Sequence, residues 1–243
     1  MTSRWSMDLV TGSPRSPATD STLETGAEDL PVAETTITLV APRTTPAIEV
    51  EGVFVPEGYE PGYAYPLLVW LSTVPLSQFD FDHRMQSISD RNYLGVCVPV
   101  SHQLDAADIA TQVETVVCAL RREYHVHSER IILVGTGDAA PLALEVALRR
   151  PKWFGGVIAL GPAPTSRHLL AEAQHLRGFR VFLGGCTGQE WSALKQTDRL
   201  LWTAGLSVKL WQWAEGTRIP ANLWRNVNHW LMAGIENEAT VWV

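Results

Sequence analysis

Apolar residues in this chain gather in blocks of two kinds. Compact apolar runs occur at Pro66–Leu71 (PLLVWL), Tyr93–Val98, Ile131–Val134, Val157–Leu160, Val181–Leu183 and Val208–Trp213. A strand with one wet face alternates, whereas a strand covered on both faces reads as a continuous apolar run, as in a parallel sheet. Longer stretches with helical spacing separate these runs. From about Asp105, the residues Ile109, Val113, Val116, Val117 and Leu120 share one face. An Ala- and Leu-rich helix is expected from about Asp138 to Arg150, stopping before Pro151. Trp191–Ala204 closes on Gly205 as C-cap, and Asn222–Ile235 carries Leu223, Val227, Trp230 and Leu231. Ahead of all these, Thr36–Val40 and Ile48–Val55 are β-rich and predict a first hairpin or strand pair, ended by Pro56-Glu57-Gly58. The alternation predicts an α/β protein: a doubly wound, mostly parallel sheet with helices on both faces and no large lid domain.

Composition sharpens this picture. Residues 1–33 are rich in Ser, Thr, Pro, Asp and Glu and read as a flexible leader. Residues 34–243 form a single domain in this reading, and a chain of 243 residues suits one large α/β unit. No stretch reaches the roughly 18 apolar residues of a membrane helix. The leader has no apolar core of signal-peptide length. Three widely spaced cysteines, Cys97, Cys118 and Cys186, suit neither a disulfide framework nor a metal knuckle, so a cytoplasmic location is expected. A net charge of -7 with no basic run argues against nucleic acid as a partner.

Five segments, taken together, carry a resemblance. PLLVWLSTVP at 66–75 resembles a strand and oxyanion loop of the form PLLVxLHGGG, and RNYLGVCVPV at 91–100 resembles the strand that follows. IILVGTGDAAPLALEVALRRP at 131–151 resembles a strand, nucleophile elbow and helix of the form ILVGHSxGGxxAxxxAxxxP. FRVFLGGCTGQE at 179–190 and WAEGTRIPANLWRNVNHWL at 213–231 resemble the acid and histidine loops. The order is similar to that of the α/β-hydrolase superfamily, closest to its small carboxylesterase and phospholipase-like members. That resemblance implies the α/β-hydrolase fold and, for an intact site, an esterase with a Ser-His-Asp triad.

The implied chemistry is missing at each position. Ester hydrolysis on this fold needs serine at the centre of G-x-S-x-G. This chain reads Gly135-Thr136-Gly137-Asp138-Ala139, so Gly137 stands at the nucleophile position. Asp138 follows, where the backbone N–H normally meets the oxyanion, and a carboxylate there opposes the developing charge. Gln189 stands where the acid belongs and does not stabilise an imidazolium as a carboxylate does. Thr217 replaces the histidine, and the oxyanion loop has become Ser72-Thr73-Val74-Pro75, in which Pro75 offers no N–H. Gly137, Gln189 and Thr217 are thus vestigial triad positions, and Ser72, Thr73 and Asp138 vestigial oxyanion positions. The expectation is a pseudoenzyme that binds, scaffolds or plays a structural role. The alternative is a serine-independent or relocated-site hydrolase of the same fold.

Other candidates have plainer explanations. Asp138 as a displaced nucleophile competes with Asp138 as a helix N-cap. Cys186 as a thiol nucleophile competes with a packed or loop thiol, and Ser72 as a stray hydroxyl competes with a turn role. His125 and His127 supply two imidazoles, too few for a metal site, and His229 reads as packing or surface. No cofactor is expected. Six of the ten tryptophans crowd the C-terminal quarter, and alternation places Trp211 and Trp213 on one face of their strand. The apolar end Val241-Trp242-Val243 needs a packing partner, so Trp242, together with Trp5 in the leader, is a candidate contact for a protein partner or for self-association. A small-molecule ligand in the vestigial pocket is the further possibility.

Overall fold

The computed structural model describes residues 50–101, 103–164, 176–214 and 219–239. The leader, the expected strand Thr36–Val40, Thr217, Trp5 and Trp242 lie outside the described residues. Seven strands form one sheet: β1 Gly52–Phe54, β2 Tyr65–Ser72, β3 Leu94–Pro99, β4 Val126–Thr136, β5 Gly156–Leu160, β6 Arg180–Cys186 and β7 Ser207–Trp213. Their order is β1-β3-β2-β4-β5-β6-β7. All neighbours run parallel except β1, which pairs antiparallel with β3. Among the described residues the helices are α1 Gln78–Ile88, α2 Ala106–Glu123, α3 Ala139–Arg149, α4 Gln189–Thr203 and α5 Ala221–Ala239. The doubly wound, mostly parallel sheet is therefore as the apolar runs predict.

Strand alternation splits the core into two layers. Leu67, Val69 and Leu71 of β2, Ile131 and Leu133 of β4 and Val157 of β5 join an aliphatic layer with Ile109, Val113 and Val117 of α2 and Leu144 of α3. Leu68 and Trp70, Ile132 and Val134, and Ile158 turn to the opposite face, where they meet Phe81 and Met85 of α1 and Leu223, Trp224 and Val227 of α5. Asp105 caps α2, its carboxylate accepting from the N–H groups of Ala107 and Asp108 at 2.7 and 2.8 Å. Gly205, at φ +88, follows the end of α4 in the left-handed conformation expected of it.

Two elements depart from the sequence pattern. Helix α1 is not announced by its composition, because only Phe81, Met85 and Ile88 of its eleven residues are buried. Its signal is the cap: the Ser77 hydroxyl accepts from the Asp80 N–H and donates to the Asp80 carboxylate. Strand β4 begins five residues before the apolar run Ile131–Val134 and carries an irregularity. Tyr65 pairs with Val126 but Leu67 pairs with Ile131, so two steps along β2 match five along β4, and residues 127–130 bulge from the ladder.

Candidate functional site

The β4–α3 turn is the sharp corner that the resemblance implies. Gly137 sits at its apex with φ +57. Its N–H donates to the Leu160 carbonyl at 2.8 Å, tying the apex to the end of β5. The corner is tight: a Cβ added at Gly135 would lie 2.3 Å from the Ala139 carbonyl oxygen. A Cβ at Gly161 would lie 2.6 Å from the carbonyl oxygen of Gly137 itself. The two flanking glycines are thus required by close backbone approach. At Gly137 the requirement is different, since a Cβ there would meet no described atom within 4 Å. The apex is exposed with open space where a side chain would stand, but its positive φ would strain any other residue there.

Asp138 does not take over the apex. It has φ -64 and ψ -19, ordinary helical values, and stands at the N-cap position of α3. The capping expectation also needs correction, because its side chain makes no capping hydrogen bond. A helical backbone at the cap explains this: capping carboxylates act from the extended region, as Asp105 does with ψ 166. Asp138 is left as an exposed carboxylate beside the bare apex.

Ser72, Thr73 and Gln189 sit at the same end of the sheet. Ser72 ends β2, and its hydroxyl donates to the Val74 carbonyl at 2.6 Å. That is the turn role, and it occupies the proton a nucleophile would have to give up. Thr73 follows, half-buried, and Val74 and Pro75 are exposed. Gln189 opens α4 directly after Gly188, whose φ is +124. Cys186 ends β6 half-exposed, with Sγ 3.9 Å from a carboxylate oxygen of Glu190.

The histidines are engaged elsewhere. His125 Nδ1 lies 3.2 Å from the Pro61 carbonyl, so this nitrogen carries the proton, and the Glu129 N–H donates to His127 Nδ1 at 3.3 Å. Both sit at the far end of β4 from Gly137, and His229 is exposed on α5. Among the described residues no group of three metal-binding side chains occurs. Trp211, Trp213, Trp224 and Trp230 pack on the α1/α5 core layer, in line with the packing explanation, whereas Trp202 on α4 is 72% exposed.

No family model matches the sequence, and no curated protein matches it. Solved structures do. The chain is similar to the Bacillus cereus carboxylesterase (15% identity, 70% of this chain and 89% of that one, TM-score 0.57). It is similar to a phospholipase/carboxylesterase from Dyadobacter fermentans (15% identity, 75% and 96%, TM-score 0.56). A carboxylesterase from Mesorhizobium loti gives 14% identity over 70% and 90% of the chains, with TM-score 0.57. At this identity the likeness shows the fold: the chain has the α/β-hydrolase fold.

Proposed function

We propose that this chain is an α/β-hydrolase-fold protein that does not hydrolyse esters and acts instead as a binding, scaffolding or structural protein. One observation carries the reading: the apex of a well-formed nucleophile elbow is a glycine. A chain that had merely lost the elbow would leave room for a nucleophile elsewhere. Here the apex is in place, at φ +57 and open, and the group that would attack the acyl carbon is missing from it. Gln189 and Thr217 at the acid and base positions support it, as does Asp138 beside the oxyanion position. Protein contacts through Trp242 or Trp5, self-association, a ligand in the vestigial pocket and a cytoplasmic location belong to the same reading.

The test is direct. Purified protein incubated with short-chain aryl esters should give no rate above background, and a fluorophosphonate probe should leave no label that survives boiling. Gly137→Ser alone should restore neither, because a serine without a base or acid retains little catalysis. A label mapped to a single hydroxyl of the unaltered chain would overturn the reading and point to a relocated nucleophile.

A further inference from the structure

The two edges of the sheet are finished differently. On one side β1 is three residues long. On the other, β7 runs seven residues, pairs with β6 over its whole length without a register shift, and has no described strand beyond it. Its sequence, SVKLWQW, is mostly apolar and free of proline. That is the composition of a covered strand, yet none of its residues is buried, whereas every residue of β5 is. Natural sheets blunt a long apolar edge with proline, a bulge or charge. Lys209 is the one charge on this strand.

The backbone of β7 sorts its residues. The Ser207 N–H donates to the Phe179 carbonyl at 2.9 Å, and the Trp213 carbonyl accepts from the Thr187 N–H at 2.8 Å. Residues 207, 209, 211 and 213 therefore turn their backbone groups to β6, and Val208, Leu210 and Gln212 turn theirs outward. Val208 and Leu210 pack on the aliphatic layer under α4, Trp211 and Trp213 on the α1/α5 layer. Helix α4 lies over both β6 and β7, with Leu194 and Leu201 on the core. At about 3.6 residues per turn, Trp191, Lys195 and Trp202 share one flank of that helix. A right-handed β6–α4–β7 connection, the rule for parallel strands, turns this flank to the open side of β7. Trp202 stands on it 72% exposed.

We propose that β7 is a homodimer interface, pairing antiparallel with β7 of a second copy about a two-fold axis at Leu210. The register follows from the strand itself. Centred on Leu210, the outward residues meet one another: Leu210 faces Leu210, and Val208 faces Gln212 on either side of the axis, each pair exchanging both backbone bonds. Lys209 then stands opposite Trp211 of the second copy, a cation beside an indole. Centring on Lys209 sets lysine against lysine, and centring on Trp211 carries Val208 past the end of the strand. With paired strands about 4.8 Å apart, two helices that each straddle β6 and β7 lie about 10 Å apart, the spacing at which helices pack. The flanks that carry Trp202 then face each other. A two-fold axis closes the assembly at two copies. The proposal takes from the preceding section only that the chain self-associates, and names the surface. Hydrolysis and mass are separate readouts, so either reading fails without the other.

The experiment is sedimentation equilibrium of the full chain, for which a reversible dimer is expected. Leu210→Pro removes an outward N–H and spares the bonds to β6, so it should give a monomer that is folded by circular dichroism. Trp202→Glu, at an exposed position, should weaken the dimer at least about tenfold, as loss of an aromatic anchor does. Should Leu210→Pro not fold, Trp202→Glu decides alone. A full chain that stays monomeric at every soluble concentration overturns the proposal and leaves Lys209 as the guard of a bare edge. A dimer unchanged in Trp202→Glu, or in folded Leu210→Pro, overturns it as well. If such a dimer is lost on deleting residues 240–243, self-association passes to Trp242. A dimer that forms only after deletion of residues 1–47 overturns it in favour of the chain's own leader as the occupant of the edge.

Discussion

The two faces of the sheet are built from different materials. The face under α2, α3 and α4 is almost wholly aliphatic, with valine, leucine, isoleucine and alanine interlocked over many residues. The face under α1 and α5 is aromatic and carries polar atoms. Trp70 packs on Phe81 and Trp224 at ring distances of 6.3 and 5.6 Å. Tyr93 donates its hydroxyl to Asn228 of α5 at 2.7 Å. Arg180 lies 4.3 Å from the Trp230 ring centre and donates to the Trp230 carbonyl. An aliphatic layer spreads its cohesion over many small contacts, so each residue is one of many. The aromatic layer concentrates it in a few large side chains, and α1 hangs on three of them.

The comparison breaks most visibly at Phe81. Phe81→Ala should cost about 3–5 kcal/mol and loosen α1 selectively, seen as hydrogen-exchange protection lost over residues 78–88. Leu144→Ala on the aliphatic face should cost about 2–5 kcal/mol but lower protection across α2 and α3 together, without a local opening. If both variants unfold the whole chain in one step with uniform loss of protection, the distinction between the faces fails.

The polar atoms of the aromatic face predict a pH response. Burial pushes the Cys97 thiol up to about 12, helped by the Glu51 carboxylate 3.7 Å away. Burial raises the Tyr93 hydroxyl as well. Both groups are neutral when protonated, so the native state holds its protons more tightly than the unfolded chain. This stability is complete below pH 9 and is lost as pH rises from 9 toward 12, at up to about 1.4 kcal/mol per pH unit for the one thiol. Urea midpoints measured from pH 8 to 11 should fall, and Cys97→Val should flatten the decline. A decline of the same steepness in Cys97→Val would assign it to other groups.

The smallest effect is expected at Trp70. Its indole N–H is buried without a hydrogen-bond partner among the described residues. Trp70→Phe removes that orphan donor along with part of the ring, and the two changes oppose each other, giving a net change of about 1 kcal/mol or less. A loss as large as that of Phe81→Ala would mean that the donor is satisfied by a group such as an ordered water.

The same contrast explains what could be read in advance. Aliphatic helices α2 and α3 announce themselves by spacing, since Ile109, Val113, Val117 and Leu120 repeat without interruption. Helix α1 does not, because QFDFDHRMQSI offers Phe81, Met85 and Ile88 amid polar residues, and only Ser77 and Asp80 mark its start. Residues 127–130 are polar and give no period, so the β4 bulge is visible only through its register. At the elbow, the resemblance puts Gly137 at the nucleophile position, and the structure has Gly137 in the β4–α3 turn at φ +57. The need for Gly161 is invisible in sequence, because it arises from a neighbouring strand that brings its backbone against Gly137. Residue type alone predicts Asp138 as a cap of α3, whereas capping depends on a backbone angle that residue type does not set.

The glycine at the apex has a consequence for how such a protein changes over time. A serine held at φ +57 stores about 1–2 kcal/mol of steric strain that glycine does not. A working hydrolase recovers that outlay through turnover. A chain with no use for the hydroxyl gains nothing from it, so selection on stability alone favours glycine there. Return to serine then raises the energy of the folded chain at the first step, before any histidine or aspartate can reward it. Under the proposed non-hydrolytic role, the corner would behave as a ratchet, easy to leave in the direction of silence and uphill in the direction of catalysis.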